Sequence, residues 1–238
     1  MVPARAVILA AGRGERLESL TANTPKPMLE VAGAPLIDRI LAGIEAGGVR
    51  SAVVVTGYLP WAIEQHVAAT SPLPVAFVRQ DEQGGTGGAL RPAHNAVGDE
   101  PFLLSWGDIA TDSRHFGEVV AAWRPELAAV IGVNQVEDVS RGAAVVFTGD
   151  RRITSIVEKP SGQPPSRWNN SGVMVFGPQI WGALEQIGPS ARGELELPDA
   201  MSRLIAEGEL LEAVPLTGRW FDIGTTSGLE AAREAFQS

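Results

Sequence analysis

The chain has 238 residues, 45% of them hydrophobic, which suits one sizeable α/β domain with a full core. Its 19 basic and 28 acidic residues leave a net charge of −9, which argues against a broad nucleic-acid surface, because such surfaces carry a basic footprint. The absence of cysteine excludes disulfides, thiolate catalysis and cysteine-ligated zinc, and His66, His94 and His115 lie too far apart for a paired-ligand motif.

In chain order, apolar runs alternate with amphipathic stretches, the pattern of a parallel sheet flanked by helices. Strands are predicted at Ala6 to Ala10, Ala52 to Thr56, Val75 to Arg79, Pro101 to Ser105 and Ala128 to Val133. Helices are predicted between them at Leu36 to Ala46, Leu59 to Ala69, Thr86 to Ala96 and Ser113 to Trp123. Fully apolar strands such as "AVVVT" imply burial on both faces. The first run, Val7 to Ala11, is too short for a membrane span or a signal segment, so a cytoplasmic protein without a membrane partner is expected.

The texture changes after Val133. "GAAVVF", "RRITSIVE" and "SGVMVF" predict closely spaced, antiparallel strands around a Gly/Pro/Ser loop at Ser161 to Ser166. Helices at Gln179 to Ile187 and Pro198 to Glu207, a strand at Ala213 to Pro215 and a helix at Thr226 to Phe236 complete the prediction. No linker or repeat interrupts the chain. The expectation is one domain over residues 1–238, with a nucleotide-type half at about 1–133 and a lid-like half at about 134–238.

Chemistry concentrates first in "LAAGRGERLESLTANTPKPML", Leu9 to Leu29. Gly12, Gly14 and Leu17 lack the third glycine of a dinucleotide fingerprint, and no Gly-Lys-Ser/Thr triplet of a Walker loop occurs. The stretch nevertheless suits an anion. Glycines after a strand let the backbone approach a ligand, Arg16 brings a fork of donors, and Pro25 and Pro27 restrict the backbone around Lys26. A solvated surface loop would explain the glycines and charges, but not the proline clamp.

This L-A-A-G-x-G-x-R-L run followed by P-K-P-M resembles the N-terminal signature of the sugar-1-phosphate nucleotidylyltransferases, with Glu15 where many members have threonine. The resemblance runs nearly end to end. It implies a Rossmann-like, mostly parallel central sheet flanked by helices, with a smaller antiparallel sugar-binding portion. It also implies roles for particular residues. Ala11, Gly12 and Gly14 would meet the nucleotide, and Arg16 and Lys26 its triphosphate. Asp108 in "WGD" and Asp222 in "WFDIGT" would hold Mg²⁺, the expected cofactor, although each alone reads as a turn or cap residue. Trp106 departs from the small polar residue often found before Gly-Asp.

In "EKP", Glu158 would bind sugar hydroxyls and Lys159 the sugar phosphate; Asn170 in "NNSG", Gly142 in "RGAAVVF" and Glu196 in "ARGELEL" would complete the sugar end. In "RQDEQGGTGGAL", Gln80 and Gly85 match the residues that face the base in pyrimidine-using relatives, and a glutamine amide offers the donor and acceptor that a uracil or thymine edge requires.

The activity implied is Mg²⁺-dependent transfer of a nucleotidyl group from a nucleoside triphosphate, UTP or dTTP, to a sugar 1-phosphate, with pyrophosphate released. The partners are those two substrates, and the reading leaves a homo-oligomer open. Competing readings are a non-catalytic sugar-nucleotide sensor and a cytidylyl- or guanylyltransferase acting on another phosphate. Retention of Arg16, Lys26, Asp108, Lys159 and Asp222 argues against the sensor, and Glu158, Gly142, Asn170 and "GELEL" favour a sugar. No hexapeptide repeat suggests an appended acetyltransferase.

Overall fold

The computed structural model describes residues 2–81 and 84–237. The first apolar run forms β1 (Arg5–Ala10), which is buried on both faces, as a strand flanked by parallel neighbours must be. The signature stretch follows as two 3-10 turns, Glu15–Leu20 and Lys26–Met28, and then a small hairpin, β2 (Glu30–Val31) and β3 (Ala34–Pro35). Next come α1 (Leu36–Ala46), β4 (Ser51–Thr56), α2 (Pro60–Thr70) and β5 (Val75–Arg79).

The helix predicted over Thr86 to Ala96 is broken. It forms α3 (Gly85–Leu90), a 3-10 turn at Arg91–Ala93 and α4 (His94–Val97). Pro92 lacks the N–H that would continue the ladder, so the backbone tightens there. Then come β6 (Phe102–Trp106), the short β7 (Ile109–Thr111), α5 (Arg114–Ala122) and β8 (Ala129–Gln135). The later strands are β9 (Ala143–Phe147), β10 (Ile153–Glu158) and β11 (Trp168–Phe176), followed by α6 (Gln179–Gln186), α7 (Leu197–Ala206), β12 (Leu211–Pro215), β13 (Trp220–Asp222) and α8 (Thr226–Gln237).

Nine strands make one sheet along the path β10-β9-β11-β6-β1-β4-β5, with β8 on β11 and β12 on β8. Strands β5, β4, β1 and β6 pair in parallel; β11 enters antiparallel beside β6, and β10, β9 and β11 form the antiparallel portion. The register of β11 against β8 slips between Asn170 and Met174. Alternate residues of each strand feed two cores. One face packs under α1, α2 and α5 through Ile37, Ile40, Ile44, Ile63 and Phe116. The other packs under α3, α6 and α7 through Leu90, Ile180, Leu184, Met201 and Leu204.

A third, smaller core lies outside the main sheet and joins the 3-10 turns to α8 through Leu17, Leu29, Ala110, Ile223 and Leu229. Strand β13 pairs antiparallel with β7, and α8 packs beside β13. Near the end of α8, Arg39 and Arg219 each place a guanidinium 4.3 Å from the Phe236 ring. Arg219 also donates to Asp112 at 2.9 Å and to the Ala235 carbonyl at 3.1 Å. Among the described residues, no helix is long and apolar enough to cross a membrane.

Candidate active site

A cavity of about 520 Å³ opens where β1 and β6 end, at Ala10 and Trp106. Carboxyl ends of parallel strands are the usual place for ligands in α/β sheets, because the loops there diverge and leave a crevice. Gly107 follows β6 against β1: its N–H donates to the Leu9 carbonyl at 2.9 Å, and a Cβ would stand 2.6 Å from that oxygen. The close approach aims the next residue, Asp108, into the cavity. Across it, β13 ends at Asp222, whose position is fixed by its pairing with Ile109 and by the Ile223 N–H donating to the Asp108 carbonyl at 2.9 Å.

Lys26 begins a 3-10 turn after Pro25 and donates from Nζ to Asp108 Oδ2 at 2.6 Å. Its side chain is only 12% exposed. Burial alone would lower the Lys26 pKa, but the Asp108 charge and hydrogen bond, with Asp222 behind, hold it above the ordinary value. Burial and the Asp108 charge raise the Asp222 pKa, with Lys26 and Arg16 pulling against them. Arg16 reaches the same place: a Cβ on Gly224 would stand 2.7 Å from Asp222 Oδ2 and 3.0 Å from Arg16 Nη2. Two carboxylates and two cations therefore share one end of the cavity.

The other end is built by β9, β10, β11 and the segment before α7. Glu158 closes β10, and burial pushes its carboxyl up to about 7, with Glu196 adding to the rise while Lys159 and Arg192 oppose it. Lys159 Nζ lies 3.6 Å from Glu158 Oε1, and its N–H donates to the Gly142 carbonyl at 2.7 Å. Lys159 has φ 43, a left-handed conformation rare for a residue with a side chain. Asn170 accepts the Gly172 N–H at 2.9 Å, and Glu196 is 3% exposed and accepts from Arg192 Nη2 at 2.6 Å.

The two glycine- and glutamate-rich motifs are tied together. The Gly87 N–H donates to the Leu195 carbonyl at 2.8 Å, the Leu195 N–H to the Gly84 carbonyl at 2.9 Å, and the Leu197 N–H to Thr86 Oγ1 at 2.9 Å.

The cavity gathers nearly all the residues that the sequence singled out. Ala11, Gly12, Arg16, Lys26, Gln80, Gly85, Asp108, Gly142, Glu158, Lys159, Asn170, Glu196 and Asp222 all line it. Gly14 is not among the lining residues; with φ 69 it turns the loop beneath Lys26, and its carbonyl accepts from the Leu17 N–H at 2.9 Å. The part of "RQDEQGG" at residues 82–83 lies outside the described residues.

Comparison with known proteins decides the family. The Nucleotidyl transferase family profile matches residues 5–238. This chain belongs to the nucleotidyl transferase family. It is 34% identical over 237 residues to UTP--glucose-1-phosphate uridylyltransferase AglF of Haloferax volcanii, covering 98% of this chain and 96% of that protein. It is 35% identical over 219 residues to the bifunctional protein GlmU of Methanococcus aeolicus, of which it spans 51%. Among solved structures, UDP-glucose pyrophosphorylase complexed with UDP-glucose superposes with a TM-score of 0.88 at 23% identity, covering 99% of this chain and 98% of that one. A putative glucose-1-phosphate thymidylyltransferase from Bacillus anthracis matches with a TM-score of 0.88 at 24% identity, covering 99% and 96%. At those identities the superpositions establish the fold.

In this nucleotidyl transferase several cavity residues escaped the sequence reading. Trp220 lines the wall and donates its indole N–H to the Ser171 carbonyl at 2.7 Å. Arg141 also lines the cavity, close enough to Asp222 to oppose the rise of its pKa. Arg192 lies behind Glu158 and Glu196, at 3.5 and 2.6 Å. Arg141 and Arg192 each stand beside a quoted motif, "RGAAVVF" and "ARGELEL", but an arginine next to glycine carries no signal until the chain folds.

Proposed function

We propose that this nucleotidyl transferase moves a nucleotidyl group from a nucleoside triphosphate to a sugar 1-phosphate. The observation that carries this reading is one cavity with two chemically different ends. Arg16, Lys26, Asp108 and Asp222 make one, and Glu158, Lys159, Asn170 and Glu196 the other. A phosphate oxygen of the sugar 1-phosphate attacks the α-phosphorus of the triphosphate, the bond from that phosphorus to the bridging oxygen breaks, and pyrophosphate leaves with the electron pair. Such transfers need positioning and charge neutralisation and no protein nucleophile.

Arg16 and Lys26 hold the triphosphate and the departing pyrophosphate, and Lys159 orients the attacking phosphate. Glu158 accepts from sugar hydroxyls, supported by Asn170, the Gly142 backbone and Glu196.

Asp108 and Asp222 fit Mg²⁺. They offer hard oxygen donors, and Asp108 raises the pKa of Asp222 through a repulsion that a divalent cation removes. When bound, the ion supplies neutralising charge for the triphosphate oxygens. A pyrimidine base fits Gln80, whose side-chain amide makes no hydrogen bond with any described residue and lines the cavity beside Gly85.

The test is pyrophosphate release from five nucleoside triphosphates against several hexose 1-phosphates, with Mg²⁺ and with EDTA. UTP or dTTP is expected to be preferred roughly 10²-fold over purines, because a site of paired hydrogen bonds rejects a base that leaves them unmade. EDTA is expected to stop turnover. Release from no pair would sink the reading; a purine preference would sink the base assignment alone.

A further inference from the structure

Tyr58 lies in the turn between β4 and α2, outside the cavity lining, and has no part in the transfer described above. It nevertheless holds both roots of the signature loop. Its backbone N–H donates to the Ala11 carbonyl at 3.1 Å, where the loop leaves β1. Its phenol O–H reaches the Thr21 carbonyl at 3.0 Å and the Ala22 carbonyl at 2.8 Å, just past the first 3-10 turn. Between these anchors, the Arg13 guanidinium stands 5.5 Å from the centre of the same ring, within range of a cation–π attraction. One residue therefore ties the two ends of the loop together.

The turn that carries Tyr58 is itself locked. A Cβ added to Gly57 would lie 2.8 Å from the Ala11 oxygen and 2.9 Å from its Cβ, so β4 runs hard against the start of the loop. Leu59 follows with φ 47 and ψ 52, a left-handed conformation, and no side chain caps α2 there. A residue with a side chain keeps such a conformation only where its surroundings over-determine it. From Thr21 the hold passes inward. The Thr21 hydroxyl donates to the Gly14 carbonyl at 3.0 Å, which also accepts the Leu17 N–H at 2.9 Å. A Cβ on Gly14 would stand 3.3 Å from Lys26 Cγ, and Arg16 leaves the same turn towards Asp222. The path from Tyr58 thus ends at both cations of the triphosphate end.

On the strength of the transfer reading above, we propose that Tyr58 is a positioning residue for the triphosphate. It clasps the loop between Ala11 and Thr21, so that Arg16 and Lys26 stand in place before the triphosphate arrives. A loop with tied ends has less freedom to lose when it closes on a ligand, and that saving appears as affinity. Once the triphosphate is bound, the ligand itself holds the loop. The clasp therefore acts on capture of the triphosphate, and leaves the sugar 1-phosphate and the chemical step alone.

The experiment compares Tyr58→Phe, which keeps the ring and removes the hydroxyl, with wild type in two measurements. The first is pyrophosphate release from UTP or dTTP with glucose 1-phosphate. The variant is expected to raise KM for the triphosphate roughly three- to tenfold, the factor that one hydrogen bond of ordinary net strength contributes. KM for glucose 1-phosphate and kcat are expected to stay near wild type. The second is amide hydrogen exchange over residues 12–22, expected to be faster in the variant without ligand and to match wild type once the triphosphate is bound. An unchanged triphosphate KM, an equal rise for both substrates, or unchanged exchange in the ligand-free variant overturns the proposal. If Tyr58→Phe does not fold, Thr21→Val, which cuts the link from Thr21 to Gly14, is read in the same way and with the same overturning results. A wild type that releases no pyrophosphate from any pair overturns the transfer reading and this role with it. An active wild type with an indifferent variant overturns this role alone.

Discussion

Glu158 shows how a buried carboxyl in the cavity can weigh on the fold that holds it. Its carboxyl has a pKa of 4.5 in the free chain and about 7 in the folded protein, raised by burial. A raised acid contributes stability that is fully present below 4.5 and lost as pH climbs through 7. Glu158→Gln keeps the shape and removes the titration. Urea unfolding is therefore expected to show wild type losing up to about 3 kcal/mol relative to Glu158→Gln between roughly pH 4 and pH 8. Parallel curves for the two proteins would remove the burial argument.

Lys26 and Asp108 allow a sharper test, because they neutralise one another. Lys26→Ala leaves Asp108 and Asp222 close together without that cation, so it is expected to lower both the melting temperature and turnover, the latter by about 10²- to 10³-fold. The double variant Lys26→Ala/Asp108→Asn is expected to recover the melting temperature but not the rate. Recovery of both would mean that the pair is structural. In the sequence the proline clamp draws attention to Lys26, whereas Asp108 is marked only by the family resemblance. Arg141 and Arg192 each precede a glycine that carries no such signal, and only the fold brings Arg141 to the cavity and Arg192 to Glu158 and Glu196.

Among the elements, long periodic segments were legible and short ones were not. The strands β1, β4 and β5 and the helix α1 follow from apolar period alone, within a residue or so of their observed ends. The break in the predicted Thr86 to Ala96 helix was written in Pro92, which the apolar pattern concealed. The β7–β13 ribbon pairs Ile109 with Asp222 across more than a hundred residues, and strands of three residues have too little pattern to announce their partner. That ribbon positions Asp222, and α8 braces it. Phe236→Ala removes the ring that Arg39 and Arg219 share, at an expected cost of about 1–3 kcal/mol. Because α8 packs on β13, and Asp222 is proposed to hold Mg²⁺, the variant is also expected to need more Mg²⁺ for half-maximal activity. Lost stability with an unchanged Mg²⁺ requirement would confine Phe236 to holding the helix.

For the whole molecule, the seam between β6 and β11 matters most. The two strands join the parallel half of the sheet to the antiparallel half, and Phe102 and Phe176 meet across them with ring centroids 5.9 Å apart. Both rings are fully buried. A shared seam of this kind predicts one cooperative unfolding transition, with far-UV and near-UV signals coinciding. Phe176→Ala is expected to shift both signals together and to cost about 3–5 kcal/mol. Two separate transitions would show that the parallel and antiparallel portions fold independently. The alternation of strand and helix made the parallel half legible, whereas the insertion of β11 beside β6 depends on long-range pairing that no local pattern encodes.

The left-handed backbone at Lys159 links durability to turnover. A side chain at φ 43 costs roughly 1–2 kcal/mol that glycine would not incur, so Lys159→Gly should melt later than Lys159→Ala. Yet Lys159 is the only lysine or arginine between Arg152 and Arg167, and it lines the cavity beside Glu158. On the role proposed for Lys159, selection for heat resistance at this position would trade away the grip on the attacking phosphate. On that proposal, the protein keeps a small thermal weakness at residue 159 together with its hold on the substrate.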